Sequence, residues 1–412
     1  MAVKLDSIFD SFDENSIFKN KNILQAGYTP ETIPHRDDQI NQIASILAPV
    51  LRGERPSNLF LYGMTGTGKT LSVQYVKNEL LKRAKKESDF KLKIIYLNCK
   101  IGKVAETEYR ILAKIISQLE GRVPDTGLPT NTVYRKFVDL IDSESQLIIL
   151  ILDEIDELVK KISDDFLYNL TRLNSELSKT KICVVGISND TGFLNEMNPR
   201  VKSSLSEEEI VFPPYNAIQL KEILERRCKD AFKESVLDSS VIAKCAAFAA
   251  KVDGDARRAL DLIRVAGELA ERDGSKKVKE NHIDEANDKI EKDKILDVVN
   301  AGPRQFKIVL HSIIELSERC AKQRRLDGNK NESFFTGDVY NYYNEFCEKR
   351  NIDFLTQRRV GDIIQELDML GIINVRVVSK GRHGRMREIK LIVPKLIIEK
   401  VREIINKSLN YD

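Results

Sequence analysis

Gly63-Met64-Thr65-Gly66-Thr67-Gly68-Lys69-Thr70 lies between the apolar run Leu59 to Tyr62 and a helical pattern that opens at Leu71. The spacing is GxxxxGK[ST], in the strand–loop–helix setting that this motif requires. Glycines let the backbone curl until successive N–H groups point inward at phosphate oxygens, and the helix N-terminus adds partial positive charge. Gly63, Gly66, Thr67, Gly68 and Leu71 are therefore expected around a nucleoside triphosphate. Lys69 would reach its β and γ phosphates, and the Thr70 hydroxyl would ligate Mg²⁺.

Outward from this loop, Ile94 to Leu97, Leu147 to Leu152 and Ile182 to Ile187 read as further strands separated by helical patterns. Continuous apolar runs of this kind indicate a parallel sheet covered on both faces, an α/β fold. The run Leu147 to Leu152 ends in Asp153-Glu154, at the strand tip that should face the same crevice as the loop. An acidic strand end alone is usually solvated capping. Beside a phosphate loop, Asp153 is expected to join Thr70 around the metal and Glu154 to polarise an attacking water. Asp156 and Glu157 read as the solvent-facing start of the next helix. Asn189, after the strand Ile182 to Ile187, either orients water near the γ phosphate or simply forms a turn.

On the N-terminal side, residues 1 to about 25 are polar, and the folded unit is expected to start around Tyr28-Thr29-Pro30 and Ile33-Pro34-His35-Arg36, ahead of an amphipathic helix near Asp38 to Leu51. After Phe212-Pro213-Pro214 the strand signal stops, and helices are predicted at about 216–232, 238–251, 255–272 and 281–291. Arg257 and Arg258 fall in the first turn of one of them. Surface arginines are commonly just solvated, yet a planar guanidinium suits a phosphate in a cleft, which makes Arg257 a candidate γ-phosphate sensor.

The chain has 412 residues, enough for two to four domains, and 42% apolar content supplies a core for each. Its net charge of +3 is uneven: from Ala301 to Asp412 there are 21 basic and 15 acidic residues. The basic excess belongs to the C-terminal end. No apolar run approaches a membrane span and no signal-peptide pattern is present, so a soluble cytoplasmic protein without a membrane partner is expected. Six cysteines without a CxxC pair argue against structural zinc and a disulfide framework.

Within that basic end, helices are predicted at about 305–323, 336–350 and 357–370, followed by a hairpin of alternating strands. Gln357, Arg358 and Arg359 fall at the N-terminal turn of the third helix, from which helix-turn-helix proteins reach base edges. From Arg376 to Arg387 there are five basic and no acidic residues. Lys380, Arg382, His383, Arg385 and Arg387 thus form a basic wing suited to the phosphate backbone or minor groove of double-stranded DNA.

The order of these motifs resembles the AAA+ ATPases. More closely, YTPETIPHR, LFLYGMTGTGKT, LILDEIDEL, VVGISND, FPPYNAIQLKEIL and GDARRALDLIRVA are similar to segments of the archaeal-type origin-recognition and cell-division-control replication initiators. That resemblance implies an AAA+ parallel-sheet nucleotide-binding domain over residues 1–212, a helical lid over 213–295 and a winged-helix DNA-binding domain over 300–412. It also implies that Tyr28, Pro30 and Arg36 enclose ATP or ADP, that Tyr215 and Arg227 close the pocket from the lid, and that Arg200 is an arginine finger acting on a neighbouring initiator subunit. An insertion with helices at Glu106 to Leu119 and Asn131 to Ile141 would carry a second DNA contact through Gly127, Thr130, Asn131 and Arg135; the same helices could merely cover the sheet. The implied function is an ATP-dependent, chromosome-associated replication initiator that binds origin DNA, helps recruit the replicative helicase and hydrolyses ATP slowly. A clamp-loader-like ATPase and an ATP-switched winged-helix transcription regulator stand as alternatives.

Overall fold

The computed structural model describes residues 16–25, 27–87, 91–100, 107–124, 126–162, 165–190, 192, 197–205, 207–322, 334–379, 385–393 and 395–409. It divides into two compact units, the first ending at Asp284 and the second beginning at Glu285.

The first unit is built on five parallel strands: β1 (Asn58–Tyr62), β2 (Lys91–Asn98), β3 (Gln146–Asp153), β4 (Thr180–Ser188) and β5 (Glu207–Val211). Their order is β2-β3-β4-β1-β5, so β3, β4 and β1 are flanked on both sides. The two-residue alternation of a strand splits the apolar runs between two cores. Phe60, Tyr62, Ile148, Leu150 and Leu152 face the helices Glu108–Gln118, Thr130–Ile141, Ile155–Ile162 and Asp165–Arg172. Leu59, Leu61, Leu147, Ile149 and Ile151 face the helices Asp37–Leu47 and Lys69–Glu87. Each fully buried Leu or Ile contributes about 1.5–3 kcal/mol relative to exposure, and the covered parallel sheet expected from the runs is the one observed.

The strand β5 is absent from the sequence expectation. Its Glu207-Glu208-Glu209 reads as a charged run, and Ile210 is its buried apolar residue. An edge strand tolerates this, because among the described residues β5 pairs only with β1 and its charges discourage further strand addition.

Beyond β5 come the helices Ala217–Ala231, Ser239–Val252 and Ala256–Arg272. Asn216 and Gln219 form a reciprocal capping box that fixes where the first of these starts. Residues 16–24 strap onto these helices, which places the beginning of the folded unit ahead of Tyr28. Phe18 bridges to Phe232 with ring centroids 4.6 Å apart, and Gly267 leaves the space for the Phe18 ring. Ile17 N donates to Glu271 Oε1 at 3.0 Å, and Lys21 pairs with Glu268 at 2.7 Å. The local polarity of this segment concealed three anchors, Ile17, Ile23 and Leu24, all buried.

In the second unit, the helices Arg304–Lys322, Thr336–Glu348 and Gln357–Met369 pack around one core with an antiparallel sheet of order β6-β8-β7. Its strands are β6 (Phe334–Phe335), β7 (Ile373–Ser379) and β8 (Arg385–Leu391). Gly371, at φ +70°, ends the third helix and turns the chain into β7. The expected three helices and hairpin are therefore present. A closing helix, Lys395–Leu409, was not anticipated; its Arg402 reaches Glu315 and Glu318 at 2.8 and 2.9 Å. Among the described residues no helix is long and apolar enough to cross a membrane.

Candidate functional site

The tips of β1, β3 and β4 open on a cleft of about 810 Å³. Tyr28, Pro30, Gly66, Thr67, Gly68, Lys69, Thr70, Leu71, Asp153, Glu154, Asn189, Tyr215, Arg227 and Arg257 line it, bringing distant parts of the sequence together. Gly66 and Gly68 adopt φ of +69° and +93°, values that strain any residue with a Cβ. Lys69 Nζ donates to Gly63 O at 2.6 Å, Met64 O at 2.8 Å and Asn189 Oδ1 at 3.0 Å. Burial pushes the Lys69 ammonium down to about 8, and the nearby Asp153 carboxylate opposes that shift without cancelling it.

Asp153 is buried, and donors hold both of its oxygens. Oδ1 accepts from Glu154 N at 3.0 Å, while Oδ2 accepts from Thr70 Oγ1 at 2.9 Å and from the Tyr96 hydroxyl at 2.6 Å. Glu154 takes the left-handed φ of +54° and lies 3.6 Å from Lys100 Nζ. Thr70 hydroxyl and Asp153 carboxylate are hard oxygen donors at one point beside the loop. That donor set fits Mg²⁺, which keeps several waters and takes few protein ligands.

Asp156 corrects the sequence reading, which put it in solvent: it is 6% exposed. Its Oδ1 accepts from Ser188 Oγ at 3.1 Å and from Asn189 N at 3.4 Å, tying the end of β4 to the helix after β3. Asp156 and Glu157 read alike as solvent-facing because nothing local indicates that β4 ends against the first of them. Glu157 is half-buried.

Arg36, expected to enclose a ligand, is itself enclosed at 2% exposure. Its guanidinium donates to Thr67 O at 2.8 Å, Pro213 O at 2.6 Å and His35 O at 3.1 Å, and it lies 3.8 Å from the Tyr215 ring centroid. It joins the phosphate loop to the chain entering the lid. A second junction is made by Asp255, which caps the helix Ala256–Arg272 through Arg257 N and Arg258 N. A Cβ on Gly66 would fall 1.6 Å from Asp255 Oδ1, and Ala256 N donates to Gly66 O at 3.2 Å. The glycine thus serves close lid approach as well as the curl of the loop. Arg227 stacks over Tyr28 at 4.5 Å; burial lowers its pKa, and its Nε finds no partner among the described residues. Arg257 is exposed at the cleft and Arg258 half-buried behind it. Arg200, exposed in the first turn of the helix Pro199–Leu205, is no part of the cleft lining. Sequence reading missed Tyr96, Asn98 and Asp255, although Asp255 carried a signal as the capping residue of GDARR.

The second unit displays its basic residues differently. Gln357, Arg358 and Arg359 are exposed in the first helical turn, and Arg359 lies 3.8 Å from Asp362. Arg387 is exposed on β8 opposite Val377, which is also exposed. Lys380, Arg382 and His383 lie outside the described residues, and of Arg385 only the backbone is described. In the first unit, the helix Thr130–Ile141 buries Val133, Phe137 and Ile141 against the sheet and exposes Asn131 and Arg135, four residues apart on one face. Covering the sheet and presenting a polar face are thus compatible. Thr130 starts that helix half-buried, and Gly127, at φ +104°, has open space around it.

Comparison with known proteins matches residues 52–189 to the AAA domain, 221–288 to the Cdc6 AAA+ ATPase-type lid domain and 297–401 to the CDC6 C-terminal winged helix domain. The ORC1-type DNA replication protein 1 of Methanosarcina mazei is 49% identical over 405 residues, 98% of this chain and 94% of that protein. The ORC1-type DNA replication protein of Pyrococcus furiosus is 50% identical over 404 residues, 97% of this chain and 93% of its own. Among solved structures, the Aeropyrum pernix ORC1 protein in complex with DNA superposes with a TM-score of 0.81 at 42% identity, covering 96% of this chain and 98% of that one.

Proposed function

Because this chain belongs to the ORC1-type DNA replication proteins and carries their AAA+ ATPase, lid and winged-helix regions, we propose that it binds double-stranded DNA at replication start sites under the control of ATP and ADP. The observation that carries this is the likeness, across 96% of the chain, to an ORC1 protein solved on DNA. Mg²⁺, if held by Thr70 and Asp153, would supply neutralisation of the charge on the phosphates during phosphoryl transfer.

The chain's own residues divide the work. Lys69 supplies a buried ammonium to the β and γ phosphates, and the loop N–H groups bind their oxygens. Thr70 and Asp153 would hold the metal. Glu154 accepts hydrogen bonding from the attacking water, and Asn189 orients the same water while steadying Lys69. Tyr28, Pro30, Tyr215 and Arg227 close over the nucleotide. Arg257 reports the γ phosphate to the lid, with Arg258 behind it.

Arg200 acts on nucleotide held by another initiator subunit, which makes an isolated subunit a slow ATPase. Hydrolysis then times DNA binding and recruitment of the replicative helicase on the chromosome. Gln357, Arg358, Arg359 and the wing from Lys380 to Arg387 grip the duplex, with Thr130, Asn131 and Arg135 as a second contact. Footprinting on chromosomal fragments in ATP and in ADP tests the whole reading. Protection should concentrate on a few repeated elements and fall in an Arg358→Ala/Arg387→Ala variant; uniform protection of unrelated DNA would overturn it.

A further inference from the structure

Tyr96 stands in the cleft without a role in the account above. It lies two residues before the end of β2, and the pairing of Asn98 with Asp153 brings its hydroxyl to the tip of β3. That hydroxyl donates to Asp153 Oδ2 at 2.6 Å, the same oxygen that accepts from Thr70 Oγ1 at 2.9 Å. Oδ1 is taken by Glu154 N at 3.0 Å. The terminal torsion of an aspartate is broad and does not fix the carboxylate plane by itself. Donors must do so, and a short O–H···O⁻ bond is among the stronger ones.

The two donors on Oδ2 are not equivalent. Thr70 sits at the head of the helix Lys69–Glu87, beside the phosphates, and its oxygen is itself a metal ligand in the nucleotide reading. Tyr96 comes from the neighbouring strand, and its backbone is held by Gln118 Nε2, which donates to Tyr96 O at 3.0 Å. Its ring is half-buried, so removing the hydroxyl leaves the packing of the side chain in place.

We propose that Tyr96 is a positioning residue that fixes the Asp153 carboxylate in the orientation that receives the Mg²⁺ shell; this rests on the nucleotide reading above. Tyr96 acts through the Asp153 carboxylate. It sets how readily the cation joins a nucleotide already bound.

The test compares the full-length wild type with Tyr96→Phe. ADP binding is followed by calorimetry in EDTA, and Mn²⁺ uptake at saturating ADP by electron paramagnetic resonance. In EDTA the two proteins should bind ADP within about twofold of each other. Half-saturating Mn²⁺ should rise about tenfold in Tyr96→Phe, within the range for loss of a partner behind a metal ligand. Thr70→Val, which removes a ligand in this reading, should raise it at least as much. An unchanged or lower Mn²⁺ requirement in Tyr96→Phe overturns the proposal. So does an equal loss of ADP affinity in EDTA, which would make the hydroxyl a general support of the pocket. Wild-type protein that binds no ADP under either condition would instead overturn the nucleotide reading itself.

Discussion

The cleft at the strand tips and the basic end of the second unit are both charged, and they handle charge in opposite ways. In and immediately behind the cleft, Arg36, Lys69, Asp153 and Asp156 are at most 6% exposed, and each is held by named hydrogen bonds. On the helix Gln357–Met369 and on β8, Arg358, Arg359 and Arg387 stand in solvent. Buried, fixed charge is expensive to assemble but gives directional recognition in a weakly screening environment. Exposed charge acts through counterion release, with each residue contributing a similar share. A nucleotide should therefore be read by geometry and DNA held largely by number of contacts.

The largest effect expected concerns a residue in neither region. Arg200→Ala should lower ATP turnover by about 10³-fold or more under conditions of self-association, while leaving ADP affinity unchanged, as for other arginine fingers supplied by a neighbour. Turnover measured across a range of protein concentrations checks this, because the wild-type rate per subunit should climb with concentration and the variant rate should not. Next, Lys69→Ala should weaken ATP binding by about 100-fold, the scale for truncating one member of a buried charge contact. Duplex affinity measured without nucleotide should stay within about twofold. Equal losses in both would erase the contrast between the regions.

A pH series sharpens the same contrast. The free Lys69 ammonium titrates at about 8, and phosphate oxygens favour its charged form, so binding takes up a proton above that pH. ATP affinity should be flat below about pH 8 and weaken above it, approaching tenfold per pH unit. Lys69→Arg should lose that dependence. The smallest effect belongs to the exposed charges. If about four phosphates are neutralised, log K against log salt should have a slope near −3.6, and Arg358→Ala/Arg359→Ala should reduce its magnitude by about 1.8. A slope near zero would remove the basic end from the interface.

How much of this was legible in the sequence follows from how local each feature is. The phosphate loop, the apolar strands and the three-helix-and-hairpin pattern are written in consecutive residues, and the fold follows from them. Asp156 and Tyr96 are different, since each depends on a partner from another strand: Ser188 at the end of β4 for one, Asp153 at the end of β3 for the other. Arg36 is legible as a cation near the entry, but its destination between Thr67 and Pro213 comes from tertiary packing. β5 was hidden because its three glutamates outweigh one buried isoleucine, and only an edge position makes that composition acceptable.

The strap over residues 16–24 has a consequence for biosynthesis. Ile17 closes its bond onto Glu271, 254 residues later in the chain. At roughly 5–20 residues per second, a ribosome needs on the order of 10 to 50 seconds between the two. During that interval the nascent chain carries Ile17, Phe18, Ile23 and Leu24 without the full set of helices that will receive them. The strap is made well before its seat, so this stretch of the polypeptide is the natural client of a chaperone until translation has passed Glu271.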